Sequence, residues 1–292
     1  MRIIERHDNK INIISENLDL VADIKHYRKI EYNGTLDLLK AAVKRMNIAS
    51  GLDIFVRADA PPGCGTGTSA SVAVSLVAAL AQFSKKELDP YQISQLAHKL
   101  ETEELKLESG VQDQYAAAYG GVNFMKIEYP KVKITPLKIE RKRICELESQ
   151  LILVYLSSRS SNEMHKAVIQ NFEKRDEKTI RSFKIIKNCA YEMKDAIHSA
   201  SMEAIGEILN RNWEAQKNLH PLMVTPIIRK TESLAKKFGA IGFKCNGAGG
   251  GGSVTILAEV GREYELKKKL LENGLTILPC KLNFHGVETW TK

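Results

Sequence analysis

The sequence predicts an α+β fold with two domains, because strand-like and helix-like segments are mixed in both halves of the 292-residue chain. A glycine-rich loop occurs in each half, at 61–71 and at 247–252. A charged stretch at 128–150 lacks a clear apolar period, and we expect the domain boundary near its end. The predicted domains are therefore residues 1–150 and 151–292.

The first half is predicted to alternate short strands with amphipathic helices. Leu36, Leu39, Val43 and Met46 recur at helical spacing, which indicates one apolar helix face. An acid followed by proline, as at 89–90, is typical of a helix start. The predicted strands are 11–14, 18–21, 52–57 and 122–127, and the predicted helices are 35–47, 70–83 and 89–105, with a stretch of small residues at 115–119 that ends at two glycines.

The second half opens with the apolar run 151–156, which predicts a strand buried on both faces. Apolar residues at helical spacing follow, including Phe183 on the apolar face of one predicted helix. Thr225-Pro226 and Gly239 delimit another helix. The predicted helices begin near 162 and span 179–198, 201–217, 226–238 and 262–273, and the remaining predicted strands are 253–259 and 275–284.

Composition narrows the class of protein. No apolar run reaches the length of a membrane span, and the first residues lack the apolar core of a signal peptide. Five widely spaced cysteines argue against a disulfide framework or zinc site, so we expect a cytoplasmic protein. The net charge of +8 is scattered over predicted helix faces, which disfavours nucleic acid and suits a small anionic substrate. We expect no membrane partner, and a homodimer stays open.

The loop at 61–71 joins a predicted strand to a predicted apolar helix. Glycines at alternate positions let the backbone adopt positive φ and approach a bound group. Unpaired amides at a helix start attract anions, so this junction suits a phosphate, although a plain capped turn is the alternative. The loop matches neither the Walker pattern nor the dinucleotide-binding pattern. Its relevant residues are Pro62, Gly63, Gly65, Thr66, Gly67, Thr68 and Ser69.

Three runs, 61–70, 112–121 and 244–252, occur in an order and spacing that resemble the superfamily of galactokinase, homoserine kinase, mevalonate kinase and phosphomevalonate kinase. The first run is similar to the ATP triphosphate loop of that family, and the last to its third motif. The middle run resembles bacterial kinases that phosphorylate D-glycero-D-manno-heptose 7-phosphate. The resemblance implies an ATP-binding domain like ribosomal protein S5 domain 2, followed by a ferredoxin-like domain.

The resemblance also implies site residues for ATP-dependent phosphorylation of a sugar or sugar phosphate. Asp113 would accept or orient the proton of the sugar hydroxyl, and Ser69 and Glu101 would bind Mg²⁺. Ordinary alternatives are a helix cap for Asp113 and a solvated helix residue for Glu101, with Glu103 as its rival. The ATP-binding residues would be Pro62, Gly63, Gly65, Thr66, Gly67, Thr68, Ser69, Gly247, Gly249 and Gly250.

Substrate contacts are expected from Gly250 and Gly251, in a loop that is also explained as a plain hairpin connection. Arg159 follows the predicted strand 151–156 and suits a substrate phosphate, although a surface arginine is an equal alternative. The main hypothesis is phosphorylation of D-glycero-D-manno-heptose 7-phosphate at its anomeric hydroxyl. An ATP-binding relic or regulatory module and a basic nucleic-acid binder are the alternatives.

One departure from the family pattern concerns the N-terminus. The family's first motif, a strand with Arg or Lys and a glycine-rich turn ending in Asp, is absent from this sequence. We therefore expect an N-terminally truncated form of the fold, with an open sheet edge and an exposed apolar patch. A truncated product or start-site error and a natural short form that lost sugar binding both explain this departure.

Overall fold

The computed structural model describes residues 1–158 and 162–291, which divide into two compact units. The first unit contains Met1–Pro61, Gly67–Gly121 and the C-terminal segment from Asn283. The second contains Pro62–Thr66 and Val122–Leu282. The boundary predicted at residue 150 thus lies inside the second unit, and the chain returns to the first unit near its end.

The first unit is built on a four-stranded sheet in the order β1-β4-β2-β3. Strand β2 runs parallel to β4, and the other neighbouring pairs are antiparallel. A π-helical turn at Leu100–Glu104 directly follows the third helix. The strands are β1 Arg2–Glu5, β2 Ile11–Ser15, β3 Leu20–Ile24 and β4 Leu52–Val56, and the helices are α1 Asp37–Arg45, α2 Thr68–Phe83, α3 Pro90–Lys99 and α4 Gln112–Tyr119.

The core of the first unit lies between this sheet and helices α1 and α2. Alternate residues of β2 and β4, such as Ile13 and Ile54, are fully buried on one face. Helix α2 buries Val74, Leu76 and Leu80 against them, and its alanines allow close packing. Each such aliphatic side chain contributes about 1.5–3 kcal/mol, so α2 is held rigidly beside the sheet.

The outer strands of this sheet expose apolar side chains. Ile4 on β1 and Leu20 and Val21 on β3 are all exposed. Within the described residues, β1 pairs with β4 alone and β3 with β2 alone. An open edge and exposed apolar residues were both expected from the sequence.

The second unit contains a four-stranded antiparallel sheet in the order β10-β7-β9-β8. With helices between β7 and β8 and between β9 and β10, this is the ferredoxin-like arrangement that the resemblance implied. A separate two-stranded sheet pairs β5 with β6. The strands are β5 Asn123–Glu128, β6 Lys131–Pro136, β7 Leu151–Ser157, β8 Ala240–Cys245, β9 Gly252–Ala258 and β10 Thr276–Leu278, and the helices are α5 Arg141–Gln150, α6 Asn162–Glu173, α7 Glu177–Ser199, α8 Met202–Lys217, α9 Pro226–Lys237 and α10 Glu263–Glu272.

The stretch at 128–150 corrects the sequence prediction, because it contains β6 and α5 rather than irregular chain. On β6, Val132 is buried between two exposed lysines. This alternation was not recognised in the sequence because charged residues dominate the stretch. In α5 a buried arginine, Arg143, donates to the carbonyl oxygens of Ile197 (3.0 Å) and Ala200 (2.5 Å). This arginine therefore satisfies carbonyl groups at the end of α7.

Three smaller predictions about the second unit are also wrong. Strand β7 alternates buried and half-buried residues, so it is not buried on both faces. Strand β10 ends at Leu278, well before the predicted residue 284. Phe183 is exposed and lies edge-on to Phe172, with ring centroids 5.7 Å apart. No helix among the described residues has both the length and the apolar character needed to cross a membrane.

Candidate active site

The N-terminus of α2 is the candidate phosphate site that the sequence predicts. Gly67 lies at the residue before the helix with φ of 75°, a left-handed conformation that favours glycine. The first amides of an α-helix have no partner within the helix, and the helix dipole adds partial positive charge there. Because α2 is long and buried, these donors are held in fixed positions.

Glu101 lies directly beside this helix start. The Ser69 hydroxyl donates a hydrogen bond of 2.9 Å to Glu101 Oε1. The Glu101 side chain is buried, at 8% exposure, whereas Ser69 is exposed. The carboxylate therefore lies beneath a hydroxyl that solvent or a ligand can reach.

The π-helical turn explains how Glu101 reaches this position. Leu105 N donates to Leu100 O at 3.1 Å, which closes one wider turn after α3. An extra residue in one turn rotates the following side chains relative to the helix before it. Such wide turns are frequent at functional sites.

Two further side chains bind the other oxygen of this carboxylate. Ser109 Oγ donates to Glu101 Oε2 at 2.6 Å, and Gln114 Nε2 donates to the same oxygen at 2.7 Å. All three donors to Glu101 are neutral. Sequence reasoning did not assign a role to Ser109 or Gln114, although both lie in the loop and helix that carry Asp113.

Glu103, the rival of Glu101, points to a different partner. Arg45 on α1 donates to Glu103 Oε2 at 2.6 Å and to Glu104 Oε1 at 3.3 Å. The hydrogen bond from Arg45 holds the pKa of Glu103 below its ordinary value. These bonds fasten the π-helical turn to α1 and leave Glu101 as the acid that contacts Ser69.

His98 lies one turn before Glu101 and is also buried. Burial lowers the pKa of this imidazole, although the carboxylates of Glu101 and Glu103 oppose the shift. His98 is therefore neutral at pH 7, and it does not supply a positive charge to Glu101.

Asp113 lies against the glycine loop. A Cβ atom built on Gly67 would be 3.2 Å from Asp113 Cβ and 3.4 Å from Asp113 Oδ2. The Asp113 side chain is exposed, in the first turn of α4 behind Val111 at the cap position. Gly67 thus allows a close approach between the start of α2 and an accessible carboxylate, and the structure brings Ser69, Glu101 and Asp113 together in one unit.

The oxygen ligands at this site fit a magnesium ion. Ser69 and Glu101 offer a hydroxyl and a carboxylate, the hard donors that Mg²⁺ prefers. Among the described residues there is no group of three or more His, Cys, Asp or Glu side chains suited to a metal. Mg²⁺ usually takes one or two carboxylates together with substrate phosphates.

The start of the glycine-rich loop belongs to the second unit. Gly63 and Gly65 have positive φ, as the sequence predicted for alternating glycines. Cys64 between them is fully buried, and its Sγ lies 2.7 Å from Thr66 Oγ1. The burial of Cys64 holds this part of the loop in a fixed conformation.

The second glycine loop connects the antiparallel strands β8 and β9 as a hairpin. Gly250 N donates to Met223 O at 3.0 Å, and a Cβ on Gly249 would be 2.7 Å from Met223 Sδ. Lys244 Nζ contacts Gln216 Oε1 at 3.4 Å, and Gln216 Nε2 donates to Gly247 O at 2.8 Å. Packing therefore accounts for Gly249, while Gly247 is exposed.

Two family models match this chain in sequence order. The description "GHMP kinases N terminal domain" matches residues 33–121, and "GHMP kinases C terminal" matches residues 193–275. Together they cover more than half of the sequence. The chain belongs to the GHMP kinase family. At the level of the family, the predicted enzyme class is confirmed, because GHMP kinases are ATP-dependent phosphotransferases that act on sugars and related alcohols.

Individual GHMP kinases resemble the chain along nearly its whole length. D-glycero-alpha-D-manno-heptose 7-phosphate kinase of Campylobacter jejuni is 28% identical over 99% of this chain and 86% of its own length. Mevalonate kinase of Methanocaldococcus jannaschii is 26% identical over 91% of this chain and 81% of its own. The crystal structure of a D-glycero-D-manno-heptose 1-phosphate kinase from Bacteroides thetaiotaomicron matches with a TM-score of 0.78 and 25% identity, over 99% of this chain and 86% of that one. The predicted two-domain α+β fold is therefore confirmed.

One predicted substrate residue cannot be placed. Arg159 lies outside the described residues. Its predicted contact with a substrate phosphate stays a prediction from the sequence.

Proposed function

We propose that this GHMP kinase transfers the γ-phosphoryl group of ATP to the anomeric hydroxyl of D-glycero-D-manno-heptose 7-phosphate. Two relatives are named as heptose phosphate kinases. The run at 112–121 supports the same substrate class through its resemblance to bacterial heptose 7-phosphate kinases. A phosphorylated sugar also suits the net charge of +8.

One observation carries the proposal: at the N-terminus of α2, Ser69 donates a hydrogen bond to Glu101, and Asp113 lies against Gly67. Phosphoryl transfer needs donors for the terminal phosphates, a group that neutralises charge and a group that takes the hydroxyl proton. The helix start supplies the donors, and the two carboxylates differ in burial as the two roles require. Glu101 is buried and fixed, whereas Asp113 is exposed to an incoming hydroxyl.

The start of α2 would hold the nucleotide and its metal. The amides of Gly67, Thr68 and Ser69 would bind terminal phosphate oxygens, since the first amides of a helix point out of its N-terminus and carry partial positive charge. Ser69 Oγ and the Glu101 carboxylate would hold Mg²⁺. A bound Mg²⁺ neutralises charge on the transferring phosphoryl group.

Asp113 would act on the acceptor hydroxyl. The hydroxyl oxygen forms a bond to the γ-phosphorus, while the bond from that phosphorus to the bridging oxygen breaks and ADP leaves with the electron pair. The proton of the hydroxyl passes to a carboxylate oxygen of Asp113. A carboxylate within hydrogen-bond reach of the hydroxyl is suited to this transfer.

The remaining roles rest on the motif resemblance and stay proposals. Pro62, Gly63, Gly65 and Thr66 would contribute to ATP binding. Gly247, Gly249 and Gly250 are proposed for ATP, and Gly250, Gly251 and Arg159 for the sugar phosphate.

The test is ATP turnover with a panel of sugars and sugar phosphates in the presence of Mg²⁺. We expect ADP formation that depends on the heptose 7-phosphate, with ³¹P NMR locating the new phosphate on the anomeric oxygen. Nucleotide binding without consumption of any acceptor would favour an ATP-binding relic instead.

Variants connect this activity to the site. Asp113→Asn should lower kcat by about 100-fold or more while nucleotide affinity is kept, because the proton acceptor is lost. Asp195→Asn, at an exposed aspartate on α7 of the second unit, is the matched control and should retain wild-type turnover. Unaltered turnover in Asp113→Asn would refute the role of this residue.

A further inference from the structure

We infer that Ser109 and Gln114 are positioning residues, which fix the carboxylate of Glu101 in the orientation needed to hold the metal. This inference rests on the proposed function, since it concerns the same magnesium site. Neither residue was assigned a role by the sequence motifs.

The two oxygens of the Glu101 carboxylate have different hydrogen-bond partners. Oε1 accepts one hydrogen bond, from the exposed Ser69 hydroxyl at 2.9 Å. Oε2 accepts two, from Ser109 at 2.6 Å and from Gln114 at 2.7 Å. Two short bonds on one oxygen prevent rotation of the carboxylate and leave the lone pairs of Oε1 directed towards Ser69.

The amide of Gln114 makes this contact at a cost to stability. The residue is 1% exposed, and its Oε1 has no hydrogen-bond partner among the described residues. A buried acceptor without a donor costs about 1–3 kcal/mol. Rotating the amide by half a turn would place Oε1 against the carboxylate and remove a hydrogen bond. The observed orientation is therefore the one that donates to Glu101, and it leaves Gln114 Oε1 without a partner among the described residues.

The position of Gln114 in the chain joins the two carboxylates of the site. Gln114 follows Asp113 in the first turn of α4, and its backbone carbonyl accepts from Ser94 on α3 at 3.4 Å. One helix thus carries the proposed proton acceptor and a donor that holds Glu101. The separation between metal ligand and proton acceptor is then set by a single rigid element.

A second glutamine provides a matched control. Gln150 at the end of α5 is 3% exposed, and its Oε1 likewise has no hydrogen-bond partner among the described residues. Its Nε2 lies 3.4 Å from Glu146 O, so it contacts a carbonyl rather than a metal-binding carboxylate. Replacing either glutamine with methionine removes a buried amide and keeps a side chain of similar volume.

The experiment measures Mn²⁺ binding to the 292-residue protein with a nonhydrolysable ATP analogue, by the EPR signal of free Mn²⁺, together with thermal unfolding. Gln114→Met should weaken Mn²⁺ binding by about 10- to 100-fold, the range for partners that orient a metal ligand. Its Tm should stay close to that of wild type, because losing the hydrogen bond to the carboxylate is offset by removing the buried acceptor that has no partner among the described residues. Gln150→Met should leave Mn²⁺ affinity unchanged.

Kinetics separate positioning from a general structural role. For Gln114→Met, the Mg²⁺ concentration that gives half-maximal turnover should rise by the same factor, while kcat at saturating Mg²⁺ stays near wild type. Ser109→Ala provides a second variant with the same expectation. Unchanged Mn²⁺ affinity in both variants would overturn the inference, as would a fall in Tm for Gln114→Met with unchanged metal dependence.

Glu101→Gln distinguishes failure of this inference from failure of the proposed function. If Glu101→Gln weakens Mn²⁺ binding but Gln114→Met and Ser109→Ala do not, the positioning role alone is wrong. If Glu101→Gln also leaves Mn²⁺ binding unchanged, the proposed metal site itself is wrong.

Discussion

Two buried glutamates of this protein have nearly opposite surroundings. Glu101 in the first unit and Glu232 in the second are each 8% exposed. Glu232 accepts hydrogen bonds from two cations, Lys236 at 2.7 Å and Lys217 at 3.0 Å, and from Trp213 Nε1 at 3.1 Å. Glu101 accepts three hydrogen bonds as well, but every donor is neutral.

The difference indicates different purposes for two carboxylates of equal burial. At Glu232 the positive charges are already supplied by the protein, so the site is electrically complete without a ligand. At Glu101 the hydrogen bonds are satisfied, but no lysine or arginine among the described residues forms an ion pair with the carboxylate. A carboxylate left in this state next to a helix N-terminus and an exposed hydroxyl is suited to a metal ion carried in with a nucleotide.

The largest expected effect is on activity. Glu101→Gln should lower kcat/KM by about 100-fold or more, because charge neutralisation by a metal is worth several kcal/mol in the transition state. Glu232→Gln should retain wild-type kinetics at a temperature where it stays folded. Steady-state assays of both variants measure this difference in kcat/KM. Equal losses of activity would contradict the comparison between Glu101 and Glu232.

The next effect is on stability, where the order of the two variants should reverse. Glu232→Gln leaves Lys217 and Lys236 without their shared acid, and we expect a loss of about 3 kcal/mol, the lower end for a broken buried pair since Lys236 is half-exposed. Glu101→Gln removes no cation's partner and should change the free energy of unfolding by less than about 1 kcal/mol. Urea unfolding monitored by Trp fluorescence compares them, and a larger loss in Glu101→Gln would contradict the comparison.

Most of the difference between the surroundings of Glu101 and Glu232 could not be predicted from the sequence. The helix start at Asp89, with its proline and the hydrogen bond from Gln92 N, was predictable because the signals are local. The family resemblance favoured Glu101 over Glu103, but the residue pattern alone could not decide between them, because a π-helical turn shifts which residue faces α2. The same shift hid Ser109 and Gln114, whose common target lies in another segment of the chain.

The helices and strands were also predictable only where their sequence signals are strong. The ferredoxin-like half was anticipated through motif resemblance, and the buried helix α2 through its apolar run. Strand β6 and helix α5 were missed because charged residues dominate them and few of their side chains are buried. A helix or strand with few buried side chains shows little hydrophobic periodicity in its sequence.

A smaller effect is the pH dependence of the contribution that Glu232 makes to the free energy of unfolding. Burial raises the pKa of this carboxyl, but hydrogen bonds from Lys236, Trp213 and Lys217 outweigh it and hold the pKa below its ordinary value. A depressed pKa in the folded state stabilises the fold above the unfolded pKa, and this stabilisation disappears as the pH falls through the folded value. The stability gap between wild type and Glu232→Gln should therefore narrow below about pH 4.5.

Denaturant unfolding of both proteins between pH 7 and pH 3 measures this gap. A gap that stays constant down to pH 3 would mean that the lysine contacts do not hold the charge of Glu232. The comparison with Glu101 would then lose its electrostatic basis.

The smallest expected effect comes from the exposed partner of the pair. Lys236→Met should cost only about 0.5 kcal/mol, because a half-exposed ammonium is largely screened by water and Lys217 remains on Glu232. Thermal unfolding detects this as a small fall in Tm. A loss as large as that of Glu232→Gln would show that Lys236 alone neutralises the carboxylate.

The most direct test of the account is the position of a metal. Crystals grown with Mn²⁺ and a nonhydrolysable ATP analogue should give an anomalous scattering peak at about 2.0–2.2 Å from Ser69 Oγ and from a Glu101 carboxylate oxygen. The same crystals should give no such peak at Glu232. Nucleotide bound at the start of α2 with its Mn²⁺ held by other protein groups, away from Ser69 and Glu101, would contradict the account.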